Sequence, residues 1–225
     1  MIELRQAEVR YPSGTRVGPL DLQADDRALV LVTGPNGSGK TTLLELLAGR
    51  LRASRGRVVR PSRRGALAVL PQRHRFHDQL PVRVEDLVGF AALAHGWFRR
   101  PDSRQVTAAL ERARAGNLAG RLVRELSGGQ RQLAHLARLL AQQADFWLLD
   151  EPLAGLDPEW RRRVLDLLDS VHHNDGVGML VVSHLHDERP AGCGRALVLE
   201  GGRLVADGPP AEVLGEPIAG TGGAR

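Results

Sequence analysis

The stretch Gly34-Pro35-Asn36-Gly37-Ser38-Gly39-Lys40-Thr41 has the spacing G-x-x-x-x-G-K-[ST], which suits a loop that cradles phosphate groups. Gly37 and Gly39 let the backbone curl around an anion without Cβ clashes. The amides of Gly37, Ser38, Gly39 and Lys40 can then converge on it, reinforced by a helix N-terminus. Thr41 offers a hydroxyl to Mg²⁺, and Thr42 one to an α-phosphate. Lys40 is the sole lysine among 31 Lys and Arg residues. Its ammonium is a compact charge on a flexible stem, able to lie between β- and γ-phosphate oxygens. A planar guanidinium would crowd such a loop.

Two further stretches carry chemistry. Phe146-Trp147-Leu148-Leu149-Asp150-Glu151 reads as an apolar strand ending in two carboxylates. Asp150, at the C-terminal end of that strand, is placed to hold Mg²⁺ directly or through water. Glu151 is placed to polarise an attacking water as general base. A pair of solvated turn carboxylates is the competing reading. Glu125-Leu126-Ser127-Gly128-Gly129-Gln130-Arg131-Gln132 precedes an amphipathic pattern. Ser127 can act as a hydroxyl donor, and Gly128 and Gly129 expose amides at a helix start, which makes a second anion site. A Ser-Gly turn that merely caps a helix is the alternative.

The elements that position these residues alternate in type. Runs at 28–33, 65–70, 146–150, 178–183 and 195–200 are almost continuously apolar, as in parallel strands covered on both faces. Helical patterns over 40–51 and 158–171 lie between them, so an α/β sheet with crossover helices is predicted. The middle of the chain differs. Val84, Leu87, Val88, Ala91 and Ala94 recur at helical spacing, as do Val106, Leu110 and Ala113, and then Leu133, Leu136, Ala137 and Leu140. This predicts a helical lobe over about 73–143 inserted into a core of about 1–72 and 144–214. Simple crossover helices would give a similar pattern. The Gly- and Pro-rich stretch 215–225 reads as a frayed tail.

Composition narrows the function classes. A chain of 225 residues, 42% hydrophobic and 25% charged, fits one α/β domain with a sizeable interior. Its apolar runs fall well short of the roughly 20 residues that span a bilayer. No secretory leader is read at the start, and one cysteine excludes a disulfide framework within the chain. A cytoplasmic protein that sits on a membrane without entering it is therefore expected. The net charge is +5, but the arginines are scattered among acids, so no nucleic-acid partner is expected.

In this order, the phosphate loop, Leu126-Ser127-Gly128-Gly129-Gln130, Leu148-Leu149-Asp150-Glu151-Pro152 and Ser183-His184 resemble the ATP-binding subunits of ABC transporters. The resemblance runs from Met1 to about Leu214 and implies a P-loop NTPase core with an inserted α-helical subdomain and a small antiparallel β portion. It implies an ATPase with ATP and Mg²⁺ as cofactors. Gly34, Pro35, Asn36, Gly37, Ser38, Gly39, Lys40, Thr41 and Thr42 would hold the phosphates, and Tyr11 would stack on adenine. Gln72 would join the core to the helical lobe and, with Thr41 and Asp150, serve the metal. His184 would contact the γ-phosphate, and Asp157 would cross a dimer interface. Two points depart from the pattern. Leu185 rather than an acidic residue follows His184, and the compact segment from Lys40 to Gln72 predicts a trimmed antiparallel portion.

The family arrangement implies a head-to-tail homodimer. Ser127, Gly128, Gly129 and Gln130 of one copy would close over ATP held by the loop of the other. Integral membrane permease subunits would carry the cargo, and a periplasmic or extracellular solute-binding protein would deliver it. The protein would then sit on the cytoplasmic side of the cell membrane. Pro81, Val82, Val84, Asp86, Val88, Gly96, Trp97, Arg99, Arg100 and Pro101 resemble the branch that imports zinc, manganese and iron, with zinc favoured and manganese next. An exporter ATPase for lipid, haem or drug shares the catalytic motifs, and a non-transport ABC ATPase acting on nucleic acid or ribosomes is a third reading. His74, His77, His95, His172, His173 and His186 read as structural or solvated rather than as a metal site, which needs three or four positioned ligands.

Overall fold

The computed structural model describes residues 1–61, 65–72, 81–92, 102–184 and 189–215. Among the described residues nine strands form two sheets. β1 (Ile2–Arg10), β2 (Arg16–Ala24) and β4 (Arg55–Val59) make a three-stranded antiparallel sheet in the order β2-β1-β4. β3 (Leu29–Thr33), β5 (Leu67–Leu70), β6 (Phe146–Asp150), β7 (Gly178–Val182), β8 (Arg195–Glu200) and β9 (Arg203–Gly208) form the larger sheet, ordered β5-β6-β7-β3-β8-β9. Its first five strands run parallel, and β9 returns antiparallel along β8.

The near-continuous apolar runs are the parallel strands: every residue of β3, β6 and β7 is buried. Alternate side chains serve opposite faces. Val30, Val32, Phe146, Leu148, Leu180 and Val182 pack against Leu43, Leu44 and Leu47 of α1 (Lys40–Leu47) and against the antiparallel sheet. Leu29, Leu31, Trp147, Leu149, Met179 and Val181 face α4 (Gly128–Gln142) and α5 (Pro158–Asp175). At roughly 1.5–3 kcal/mol for each fully buried large apolar side chain, these two layers fix the sheet rigidly.

Helices α2 (Val84–Ala92), α3 (Ser103–Arg112) and α4 fall between β5 and β6 in the chain and pack on one another. Val84, Leu87, Val88, Ala91, Val106, Leu110, Leu133, Leu136, Ala137 and Leu140 are the buried stripe residues of that packing. Their cluster is continuous with one face of the parallel sheet. A short α6 (Pro210–Leu214) packs beside β8 and β9.

Several boundaries differ from the sequence reading. The first helix stops at Leu47 rather than Leu51, because Gly49 turns left-handed at φ 75° and Arg60 donates to the Leu46 carbonyl. The helix from Pro158 continues past Val171 to Asp175, ended by left-handed Gly176. The compact segment from Lys40 to Gln72 gives the antiparallel sheet only the five-residue β4, while β1 and β2 come from the first 24 residues. Ala94, residues 96–101 and the tail 216–225 lie outside the described residues, as do His74, His77, His95 and His186.

Candidate nucleotide site

Four neighbouring parallel strands deliver the motif residues to one rim. The strand order β5-β6-β7-β3 puts Gln72, then Asp150 and Glu151, then His184, then the phosphate loop side by side beyond the C-terminal strand ends. That is where open α/β sheets take ligands. Backbone bonds lock the rim: Glu151 N–H donates to Val182 O at 2.9 Å, and Ser183 N–H to Val32 O at 3.0 Å.

The loop is built around its glycines and its lysine. Gly39 caps α1 in the left-handed region at φ 104°, and a Cβ there would press into Val17. No side chain caps this helix, so its first amides stay available to an anion. Lys40 is only 8% exposed. Its Nζ donates to the carbonyls of Gly34 at 2.7 Å and Pro35 at 2.9 Å. The Ser38 hydroxyl is buried with no hydrogen-bond partner among the described residues. Open helix amides, a buried ammonium and an orphaned hydroxyl within one loop fit a phosphate chain.

Two adjoining cavities share Asn36, Gln72 and Glu151. The first, about 310 Å³, is lined by Tyr11, Gly37, Lys40, Thr41, Thr42 and Asp150, among others. The second, about 590 Å³, adds Gly34, Pro35 and His184. Thr15 and Val17 line the first, Val198 and Glu200 the second. None of these four was read from the sequence, since β2 carries no apolar run and β8 was read only as a buried strand. A larger cavity of about 740 Å³, between the α4 and α5 C-terminal ends, is lined by none of the candidate site residues. Its charges are partly spent on each other, as in the Arg112–Asp175 pair.

The Tyr11 hydroxyl lies 2.8 Å from Thr42 Oγ1. A threonine hydroxyl has one donor and two acceptor positions. Thr42 can therefore accept from Tyr11 and still donate to an α-phosphate. The sequence pointed to the tyrosine ring and not to this bond.

The carboxylates differ sharply. Burial and, next, the neighbouring Glu151 charge push the Asp150 carboxyl up to about 6, with Lys40 partly offsetting them and a Gln72 backbone hydrogen bond favouring the carboxylate. Glu151 sits in the left-handed region at φ 53°, a conformation that costs a non-glycine residue about 1 kcal/mol or more. The turn carries its side chain to His184, whose Nδ1 is 2.6 Å from Oε2. The imidazole thus holds the carboxylate against the cavity that both line.

The raised Asp150 group has a consequence for stability. Its folded value of about 6 exceeds its ordinary 3.8. The folded chain therefore holds the extra proton between those values, and stability falls as pH rises through them. Above about pH 6 the full penalty stands. Asp150→Asn removes it, so the ligand-free variant is expected to melt about 2–4 °C higher than the parent near pH 8. No gain is expected near pH 4. Thermal melts at both pH values check this, and an equal change at both contradicts it.

The second motif lies apart. Ser127 caps α4: its Oγ accepts from the Gln130 amide, and the Gln130 side-chain oxygen accepts from the Ser127 amide. Such a box stabilises a helix start by about 1 kcal/mol and leaves the serine O–H free to donate. Asp157 caps α5 by accepting from the Trp160 amide at 3.0 Å. Ser127, Gly128, Gly129, Gln130 and Asp157 line neither cavity. One copy of the chain therefore gathers the loop, Gln72, Asp150, Glu151 and His184, and keeps these five residues elsewhere. Among the described residues no cluster of three or more His, Cys, Asp or Glu can hold a metal ion, and His172 is engaged with the Val177 carbonyl.

Known proteins share this arrangement. The sequence model of the family described as ABC transporter matches residues 17–154. The hemin import ATP-binding protein HmuV of Pseudomonas aeruginosa is 38% identical over 231 residues, covering 95% of this chain and 89% of that protein. The phosphonates import ATP-binding protein PhnC 1 of the same species is 34% identical, with 84% of this chain and 76% of that protein covered. Among solved structures, a transporter described as of metal-chelate type, in an inward-facing conformation, superposes with a TM-score of 0.85 at 27% identity, covering 95% and 84% of the two chains. The cbiO1 protein of Clostridium perfringens, part of the complex cbiONQ, gives 0.83 at 26% identity over 96% and 90%. With its phosphate loop, acidic strand end and cassette fold matched along nearly its whole length, this chain belongs to the ABC transporter family as an ATP-binding subunit, an ATPase.

Proposed function

We propose that the chain powers an importer through a separate membrane permease, and that its cargo is a metal chelate of the hemin kind. The observation that supports this best is the likeness to hemin import proteins over 95% of the chain. The similarity to a transporter of metal-chelate type points the same way. The zinc or manganese reading rests on Pro81, Val82, Val84, Asp86 and Val88, and on residues 96–101 outside the described set. The relatives named above import hemin or phosphonates by their names, so it is the second reading. Among the described residues no helix is long and apolar enough to cross a membrane. The protein is accordingly proposed to sit peripherally on the cytoplasmic face, as a homodimer bound to permease subunits that a solute-binding protein supplies.

The residues divide the work as follows. The loop amides and Lys40 hold the β- and γ-phosphates, Thr42 the α-phosphate, and Tyr11 the adenine. Glu151 takes the proton of the water that attacks the γ-phosphorus, and His184 keeps that carboxylate in place. Thr41, Gln72 and Asp150 offer a set of oxygen donors that suits Mg²⁺. When bound, the ion neutralises phosphate charge. Ser127, Gly128, Gly129 and Gln130 cover the phosphates bound by a second copy, and Asp157 meets that copy at the interface.

Deleting the gene and following uptake of labelled hemin, zinc and manganese tests the cargo. Loss of hemin uptake with zinc and manganese unchanged is the expected result. Loss of zinc or manganese uptake alone would favour the second reading. Unchanged uptake of all three would refute import of these cargoes.

A further inference from the structure

The first turn of α4 is held by a residue outside every motif. Gly129 is buried, while Ser127 and Gly128 on either side of the helix start are exposed. What covers Gly129 is the indole of Trp160, in the first turn of α5. A Cβ built on Gly129 would overlap three carbons of that ring, whereas one built on Gly128 would meet nothing. Gly129 is therefore a close-approach glycine, and its partner is the tryptophan.

The indole is itself held firmly. Its backbone N–H binds the Asp157 carboxylate. The Arg163 guanidinium lies 4.8 Å from its ring centroid, a stacking that suits an electron-rich face, and Arg163 also reaches Glu159 at 2.6 Å. A second tie joins α4 to the loop that leads into α5, because Gln132 Nε2 donates at 2.6 Å to the carbonyl of Pro152, directly after Glu151. The helix start, the loop after Glu151 and the start of α5 thus form one rigid body.

We infer that Trp160 is a positioning residue for Ser127, Gly128 and Gly129. It sets the height and tilt at which their donors meet the nucleotide held by a second copy of the chain. The inference rests on the proposed two-copy site. Trp160 touches neither cavity of its own copy, so its effect is exerted in the partner's site. A shift of about 1 Å in such donors is enough to forfeit much of their contribution.

The test uses the full chain carrying Glu151→Gln, with Trp160→Ala or Trp160→Phe added. Three quantities are measured: affinity for a fluorescent ATP analogue, the concentration at which ATP drives dimerisation, and the melting temperature. Trp160→Ala is expected to bind the analogue within about twofold of its parent, yet to need about tenfold more protein to dimerise. Trp160→Phe keeps a ring over Gly129 and is expected to recover most of that loss. Dimerisation of Trp160→Ala at the parent concentration overturns the inference. So does a parallel loss of analogue binding, which would make Trp160 a support of the whole fold, or a Phe variant no better than Ala. If the Glu151→Gln parent itself stays monomeric with ATP bound, the two-copy site fails instead.

Discussion

Replacing Glu151 by Gln is expected to lower ATP hydrolysis by about 10²–10⁴-fold while leaving ATP affinity nearly unchanged. The amide keeps the shape of the carboxylate and so keeps the turn at φ 53°. It cannot take a proton from water at any working pH. The contact with His184 Nδ1 at 2.6 Å survives in reduced form, because an amide oxygen still accepts a hydrogen bond. Ground-state binding is proposed to rest on the loop, Lys40 and Tyr11, which the substitution does not touch. Single-turnover hydrolysis set beside equilibrium ATP binding separates the two effects. Hydrolysis within a few fold of the parent would remove Glu151 from the role of general base.

The second large effect is expected from Lys40→Arg, although it conserves charge. The Lys40 ammonium is buried and makes two short bonds to loop carbonyls, Gly34 O and Pro35 O. A guanidinium is wider, and its planar fork cannot follow the loop as three freely turning donors do. Charge-assisted hydrogen bonds of this kind contribute about 1.5–3 kcal/mol each. Losing the equivalent of one is expected to weaken ATP binding by about ten- to a hundredfold. Titration with a fluorescent ATP analogue measures it. Affinity equal to the parent would show that charge alone matters at position 40.

What the sequence made legible follows from how local each signal is. The phosphate loop, the acidic strand end and the Ser127 cap are contiguous motifs whose residue types carry their own chemistry. Strands β3, β6 and β7 are buried on both faces, so their apolar runs could be read directly. β1 and β2 were invisible because polar residues break up their apolar ones: β2 exposes one face, with Asp21 and Gln23, while β1 buries Glu3 and Glu8 and is interrupted at Gln6, where φ is 48°. Val17 and Thr15 were missed with them.

Other features exist only in three dimensions. That Glu151 must turn left-handed to reach His184 depends on the spacing of β6 and β7. The bond from Tyr11 to Thr42 joins residues far apart in sequence, and Trp160 meets Gly129 only because α4 and α5 cross there. Asp150 and Glu151 look alike as letters, yet burial lifts the first while the second is tied to a histidine. Sequence alone gave each carboxylate a role but could not show the burial of the one or the histidine contact of the other.

Each nucleotide site is proposed to be completed by a second copy of the chain. Analytical ultracentrifugation of the Glu151→Gln protein with ATP, with the bound nucleotide counted, tests it most directly. Two chains sedimenting together with two ATP molecules, and single chains when ADP replaces ATP, are the expected result. Single chains that each hold ATP at saturating concentration would contradict it.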